Sequence, residues 1–356
     1  MANSSEHYNS TGPLSYPLYG TKSDPSEALP VEVVKLTLYA SCASFGVIGN
    51  ILVTVILNRI KVKETRVMDF YMINLAIADL GTLLLALPFA ATRERLPNYW
   101  PFGEFVCLYF LPVVEIFHGS SVWFITAASI ERYQKIGKPS KVNFKLRASL
   151  KKAKIVAACV WMASFFLFSF PLYFVVRYRE ISNEGKIWCG AEWPLWGKGF
   201  VLPQAYLMLM VLLSYIFPLI VILWTFLAVS RTLNESSRFI KTMKQGEDRA
   251  TLVMNHCDKG DCTPRRRSLR IAQNKRAKAI LTPVVVVFAV FMLPLAMLRL
   301  CIVFWPPIVV QTSYENLMFV VSLGVIINSS TNPLIYSVIK KDFRRELKRI
   351  FQYSRT

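Results

Sequence analysis

A chain of 356 residues has room for two or three soluble domains, but 54% of its residues are hydrophobic and its mean hydropathy is +0.38. The apolar residues come in blocks rather than alternating stripes, which excludes a soluble globular reading and identifies a membrane protein. The net charge of +20 then reads as a topology signal and an attraction to anionic membrane lipid, and nucleic-acid binding is excluded as its cause.

Residues 1–30 are rich in Ser, Pro, Gly and Tyr and lack the apolar core of a cleaved signal peptide, which predicts a disordered extracellular tail. Asn3 and Asn9 in that tail sit in glycosylation sequons. Seven apolar stretches follow, each long enough to cross about 30 Å of hydrocarbon: 31–58, 67–92, 105–136, 154–176, 201–230, 277–304 and 314–339. The long intracellular loop is expected at about 231–276. Basic residues gather after the first span (Arg59, Lys61, Lys63, Arg66), between the third and fourth (Lys138, Lys141, Lys145, Arg147), before the sixth (Arg265, Arg266, Arg267) and after the seventh (Lys340, Lys341, Arg344, Arg345). By the positive-inside rule the N-terminus is extracellular and the C-terminus cytoplasmic.

Of seven cysteines, only Cys107 and Cys189 fall outside the membrane near a span end, so one disulfide between them is the economical pairing. Cys42, Cys159 and Cys301 read as apolar fillers. Cys257 and Cys262, with His256, form too weak a pattern to imply a metal.

The interior polar residues carry the mechanism. Asp79 stands in the middle of the second span, where a carboxylate is costly unless compensated. Ser121 in the third span and Asn328, Ser329 and Asn332 in the seventh lie at similar depth, and together these oxygens suit one small hydrated cation such as sodium, acting allosterically; no other cofactor is implied. Pro88, Pro218, Pro294 and Pro333 break the ladders of the second, fifth, sixth and seventh helices, and a kink beside a polar cluster is a place for a helix to swing. Arg132, flanked by Glu131 and Tyr133, would lose about 2.5–3.5 kcal/mol deep in lipid, so it faces other helices or the cytoplasmic surface.

Glu131-Arg132-Tyr133 resembles the Asp/Glu-Arg-Tyr motif of rhodopsin-like G-protein-coupled receptors, and Asn332-Pro333-Leu334-Ile335-Tyr336 resembles their Asn-Pro-x-x-Tyr motif. Gly49-Asn50, Leu75-Ala76-Ile77-Ala78-Asp79, Trp100-Pro101-Phe102-Gly103, Trp161 and Pro218 also have counterparts in that family. The resemblance covers the whole membrane portion and implies an all-α seven-helix bundle over 31–339. Residues 340–356 resemble the start of the family's amphipathic eighth helix, with Phe343, Leu347 and Ile350 toward lipid and Arg344, Arg345 and Lys348 toward headgroups. The implied activity is allosteric: an outside ligand biases a two-state bundle, and the sixth helix opens a cytoplasmic crevice for a heterotrimeric G protein. Glu131 would hold Arg132 at rest, while Val122, Pro218 and Phe288, with Met292 and Pro294, would form the packing switch beneath the pocket.

A lysine for retinal is absent, with Ile326 at the matching position, and Val114 replaces the aspartate of amine receptors. The loop 177–199, polar, aromatic and held at Cys189, looks like the β-hairpin of peptide receptors of the neuropeptide Y, tachykinin and orexin kind, so an extracellular peptide is the expected ligand; a lipid or other small molecule is the alternative. Pocket residues are expected to be Glu115, His118, Gln204 and Arg299, with Phe89, Trp100, Tyr206 and Trp305 as walls. Arg299 could bind a peptide carboxylate and Glu115 a basic side chain or an amide. Inside the cell, Ser268 after three arginines suits a basophilic kinase, and arrestin would use Ser236, Ser237, Thr251, Thr263 or Ser268. No nucleophile, base and oxyanion constellation marks an enzyme, and no repeated halves mark a transporter or channel.

Three departures from the family pattern matter. Met292 stands in Phe291-Met292-Leu293-Pro294 where the family usually has tryptophan, Phe226 replaces a tyrosine, and Asn274 replaces the acid that often pairs with Arg132. Without that lock, ligand-free cells are expected to show second-messenger levels displaced from those of an Arg132→Ala control. Equal levels would contradict the expectation.

Overall fold

The computed structural model describes residues 25–59, 66–96, 99–137, 144–181, 186–193, 202–245, 282–305, 308, 314–339 and 341–353. Among them, seven helices are long and apolar enough to cross a membrane. Hydrocarbon offers no partner to a backbone N–H or C=O, so each span satisfies its own ladder as a helix. In chain order they are α1 (Pro25–Arg59), α2 (Arg66–Arg95), α3 (103–137), α4 (144–175), α5 (202–245), α6 (Thr282–Phe304) and α7 (Tyr314–Ile339), followed by the shorter α8 (Lys341–Tyr353). Between α4 and α5, β1 (Val176–Ile181) and β2 (Lys186–Ala191) pair antiparallel, with Tyr178 opposite Cys189.

The bundle is inside-out relative to a soluble protein. Asn50, Asp79, His118, Ser121, Arg299 and Asn332 are buried, whereas Ile155, Met162, Phe174, Trp224, Val286 and Phe304 are exposed, as a hydrocarbon solvent requires. Toward the end of the bundle where α1 leads into α2, Val53, Met72, Leu75, Phe124, Ile222, Phe288, Met292 and Ile335 form one apolar cluster. Tyr39, Ala43, Leu83 and Ile326 form a second between α1, α2 and α7. Helices that gain little from the hydrophobic effect in lipid rely on close approach at small residues. A Cβ on Gly49 would meet Pro333 Cβ at 2.8 Å, and one on Gly324 would stand 2.5 Å from the Phe291 carbonyl oxygen. The first draws α1 onto α7; the second presses α7 against α6 beside its bend at Met292.

Three boundaries differ from the sequence expectation. α1 starts at Pro25, so residues 25–30 are helix rather than tail. α5 runs to Gln245, so its end takes in residues 231–245 of the expected loop; a polar helix extending past the membrane has no apolar run to reveal it. In α8, Phe343 is 2% exposed and joins the main apolar cluster, with Leu347 and Ile350 packed against it, because α8 folds under the bundle against α1 and α7. Phe343, Leu347 and Ile350 therefore face protein rather than lipid, while Arg344, Arg345 and Lys348 are exposed as expected.

The Gly324 contact yields a direct test. Its neighbour is a main-chain oxygen that cannot swing aside, so Gly324→Ala is expected to destabilise the bundle by about 1–3 kcal/mol. That would appear as melting of the purified protein several degrees lower; an unchanged melting curve would show that α6 and α7 separate without cost.

Candidate functional site

The interior cage is built on Asp79, which is wholly buried. Ser121 Oγ of α3 donates to its Oδ1 at 2.6 Å, and Asn332 Nδ2 of α7 donates to its Oδ2 at 2.7 Å. Ser329, one turn before Asn332, and Asn328 are buried on the same stretch of α7. A carboxylate in hydrocarbon needs such donors, and here they come from two other helices. Asn50 extends the network to α1, donating to Gly46 O at 2.9 Å and to Ser329 O at 3.2 Å. The structure thus gathers Asp79, Ser121, Ser329 and Asn332 as one group. Among the described residues no three His, Cys, Asp or Glu side chains gather for a metal ion, and Cys257 and Cys262 lie outside those residues.

Beside this cage, Val122, Phe288 and Met292 are buried together. Tyr215 stacks on Phe288 with ring centroids 6.0 Å apart and donates its hydroxyl to Ala289 O at 3.0 Å, joining α5 to α6. Pro218 is buried one turn further along α5. α6 bends at Met292, whose N–H reaches Phe288 O at 3.2 Å, and Pro294 opens the next helical segment. At the far end of α3, Glu131 and Arg132 are half-buried, while Tyr133 lies 4.8 Å from Trp224 and packs with Phe226 against Val229 of α5. Pro333 is buried against α1, and Tyr336 lies in the closing turns of α7.

On the opposite face, a disulfide joins Cys107 to Cys189, and Trp100 N–H donates to Ile187 O at 2.9 Å. Together they hold β2 over the ends of α2 and α3. A cavity of about 220 Å³ lies beneath, lined by Phe89, Thr92, Arg93, Trp100 and Leu111 and roofed by Ile187 to Gly190. One turn deeper on α3, Glu115 pairs with Arg299 of α6 at 3.2 Å. Arg299 also donates to Ser214 Oγ of α5 at 3.0 Å, and His118 is buried on the same face of α3.

The expected pocket residues therefore separate into groups. Glu115, His118 and Arg299 come together, and Phe89 and Trp100 line the cavity under the hairpin. Gln204 instead donates to Val303 O at 3.1 Å. Tyr206 donates to Phe168 O of α4 at 2.5 Å and packs on Trp193. Trp305 is 48% exposed at the end of α6. A tryptophan at a span end is as much a membrane-interface residue as a pocket wall, and sequence does not distinguish the two. Asn3, Asn9, Ser268, Thr251, Thr263 and Asn274 lie outside the described residues.

Ser214 was missed by sequence reading. A π-helical turn at Leu212–Ile216 shifts the helical phase, so regular 3.6-residue spacing misplaces it; a hydroxyl inside an apolar run was the available signal. Tyr215 was missed for the same reason.

Residues 49–336 match the family model described as 7 transmembrane receptor (rhodopsin family). Similar proteins include the somatostatin receptor type 5 of Rattus norvegicus, 29% identical over 96% of this chain and 83% of its own length. The galanin receptor type 1 of Homo sapiens is 26% identical over 90% and 82%. The tachykinin-like peptides receptor 99D of Drosophila melanogaster is 27% identical over 86% and 54%.

Met292 is 2% exposed and packs in the apolar cluster with Val122 and Phe288. Met292→Trp is expected to overpack the α6 bend and cost about 1–3 kcal/mol, whereas volume-conserving Met292→Leu should cost less than about 1.5 kcal/mol. Thermal melting of the two purified variants checks this. A Trp variant as stable as the parent would mean that the bend is loosely packed.

Proposed function

The chain belongs to the rhodopsin family of seven-transmembrane receptors, and from that premise we propose that its ligand is an extracellular peptide and its output is nucleotide exchange on a heterotrimeric G protein. It is a receptor and not an enzyme. The observation that carries the peptide reading is the hairpin held by Cys107–Cys189 and by Trp100 over a cavity of about 220 Å³, with a charged pair one turn below. A roof held at the side, with polar groups beneath, suits a polar chain entering from water. The relatives named for somatostatin, galanin and tachykinin-like peptides support the same reading.

In this reading the basic loops face the cytosol and the N-terminus faces out, with Asn3 and Asn9 glycosylated. Arg132 contacts the G protein once α6 swings at Met292 and Pro294. Glu131, Tyr133, Asn332, Pro333 and Tyr336 stabilise the alternative helix arrangements. Ser268 serves a basophilic kinase, arrestin binds after phosphorylation, and α8 lies against anionic lipid.

Asp79, Ser121, Asn328, Ser329 and Asn332 would hold a sodium ion. The donor set fits: one carboxylate with hydroxyl and amide oxygens, buried among three helices. When bound, the ion supplies positive charge beside a carboxylate that otherwise relies on neutral donors.

The test uses purified receptor in lipid nanodiscs, a panel of Gα proteins and a peptide library, read as GDP release. Peptide-evoked release that Arg132→Ala abolishes is expected; a receptor silent to peptides but responsive to a lipid would overturn the ligand reading. Sodium should weaken binding of the peptide found, and Asp79→Asn should remove that effect. An effect that survives unchanged would mean that the ion binds elsewhere.

A further inference from the structure

Three groups between α3, α5 and α6 form a centre whose internal chemistry specifies what it can accept. Arg299 is 7% exposed, yet its fork is not satisfied as a fork. One nitrogen, Nη2, donates to both Glu115 oxygens at 3.2 and 3.3 Å, and Nη1 donates to Ser214 Oγ at 3.0 Å. A well-made bidentate pair uses two nitrogens at about 2.7–2.9 Å. This pair is therefore loose. Its partners also differ in access, since the Glu115 side chain is 25% exposed and that of Arg299 is 8%.

His118 is the second, independent observation. It lies three residues from Glu115, on the same helix face, and is 7% exposed. Its Nε2 has no partner among the described residues, although a neutral imidazole carries one donor and one acceptor nitrogen and a buried polar atom is normally paired. It lies within electrostatic range of both Glu115 and Arg299.

We propose that the ligand presents a cationic group to Glu115, and that Arg299, losing the carboxylate, turns to His118. This rests on the peptide reading and names the chemistry that the peptide must bring: an ammonium or guanidinium, from a Lys or Arg side chain or from the peptide's N-terminus. The choice of sign follows from what each partner keeps. If a cation takes Glu115, Arg299 retains Ser214 and gains the unused imidazole nitrogen. If a ligand carboxylate took Arg299 instead, Glu115 would lose the Arg299 donor and stand beside a like charge with, among the described residues, no hydroxyl partner of the kind Arg299 keeps in Ser214. The acid is also the more accessible partner, its side chain 25% exposed against 8% for Arg299. Exchange of the pair releases α6 from α3 two turns along α6 from the bend at Met292, so ligand chemistry and helix movement are one event.

The probes are N-acetylated, C-amidated octapeptides in which one position at a time is fixed as Lys or Arg, as the uncharged norleucine or citrulline, or as Asp or Glu. A fourth set has norleucine and a free N-terminus. All are read as GDP release by the nanodisc receptor. Activity is expected in the Lys/Arg set or in the free-terminus set, which separates the two sources of positive charge. It should fall roughly thirtyfold or more on Glu115→Gln and persist on Glu115→Asp. Activity in the neutral or acidic sets that Glu115→Gln leaves intact would overturn the cation inference while sparing the peptide reading.

If every set is silent, the peptide reading fails, and the ion-pair exchange is decided without ligand. Glu115→Gln and Arg299→Gln should each raise basal GDP release several-fold, and the reversed pair Glu115→Arg with Arg299→Glu should restore it. Basal rates equal to the parent in both single variants would overturn the exchange.

Discussion

Asp79 and the two donors that hold it, Ser121 and Asn332, are the contact on which the rest of the bundle depends. An interhelical hydrogen bond in lipid contributes on average only about 0.6 kcal/mol, so Ser121 and Asn332 are weak as glue. Their importance lies in the alternative: a carboxylate stripped of its donors in hydrocarbon costs several kcal/mol. α2, α3 and α7 are therefore held less by what their contact gains than by what its loss would expose, and Asn50 adds α1 on the same terms through Ser329 O.

Side-chain hydrogen bonds among the described residues sort most of the helix contacts into two sets. α1, α2, α3 and α7 share the Asp79 network, and Trp161 of α4 joins them by donating to Asn74 Oδ1 at 3.1 Å. Ser330 donates to Cys42 O at 2.8 Å and fastens α7 to α1 again. α5 and α6 share Tyr215 to Ala289, Gln204 to Val303 and Ser214 to Arg299. Glu115–Arg299 joins the second set to the first, and Tyr206 of α5 joins it to α4 by donating to Phe168 O. A pair of helices internally bonded, and tied to its neighbours by a hydrogen bond and an ion pair with long contacts, is built to move as a unit. The bend at Met292, with Pro294 beside it, gives that unit a place to flex, and the pressed contact at Gly324 gives it a fulcrum.

Much of this was legible in the chain. Spans declare themselves because lipid demands about twenty apolar residues and tolerates few charges, and the seventh span begins and ends where the apolar pattern places it. Asp79, Ser121 and Asn332 were legible as a group because each is polar at mid-span, and Ser329 and Asn332 lie one turn apart. What was not legible depends on phase and on partners distant in sequence. The π-helical turn in α5 rotates Ser214 inward to Arg299. Phe343 has the spacing of a lipid-facing residue, yet α8 folds under the bundle and turns it into the core. Glu115 and Arg299 were both named as pocket residues; that they neutralise each other across 184 positions is a fact of packing alone.

The central claim is that one bundle has two discrete arrangements, with α5 and α6 moving relative to the other helices. The most direct measurement is an electron–electron resonance distance distribution between spin labels at Lys151 of α4 and Val286 of α6, in a nanodisc receptor whose other cysteines, apart from Cys107 and Cys189, are replaced. Two resolved distances are expected, exchanging population when nucleotide-free Gα is added. A single distance that Gα leaves unchanged would contradict the claim.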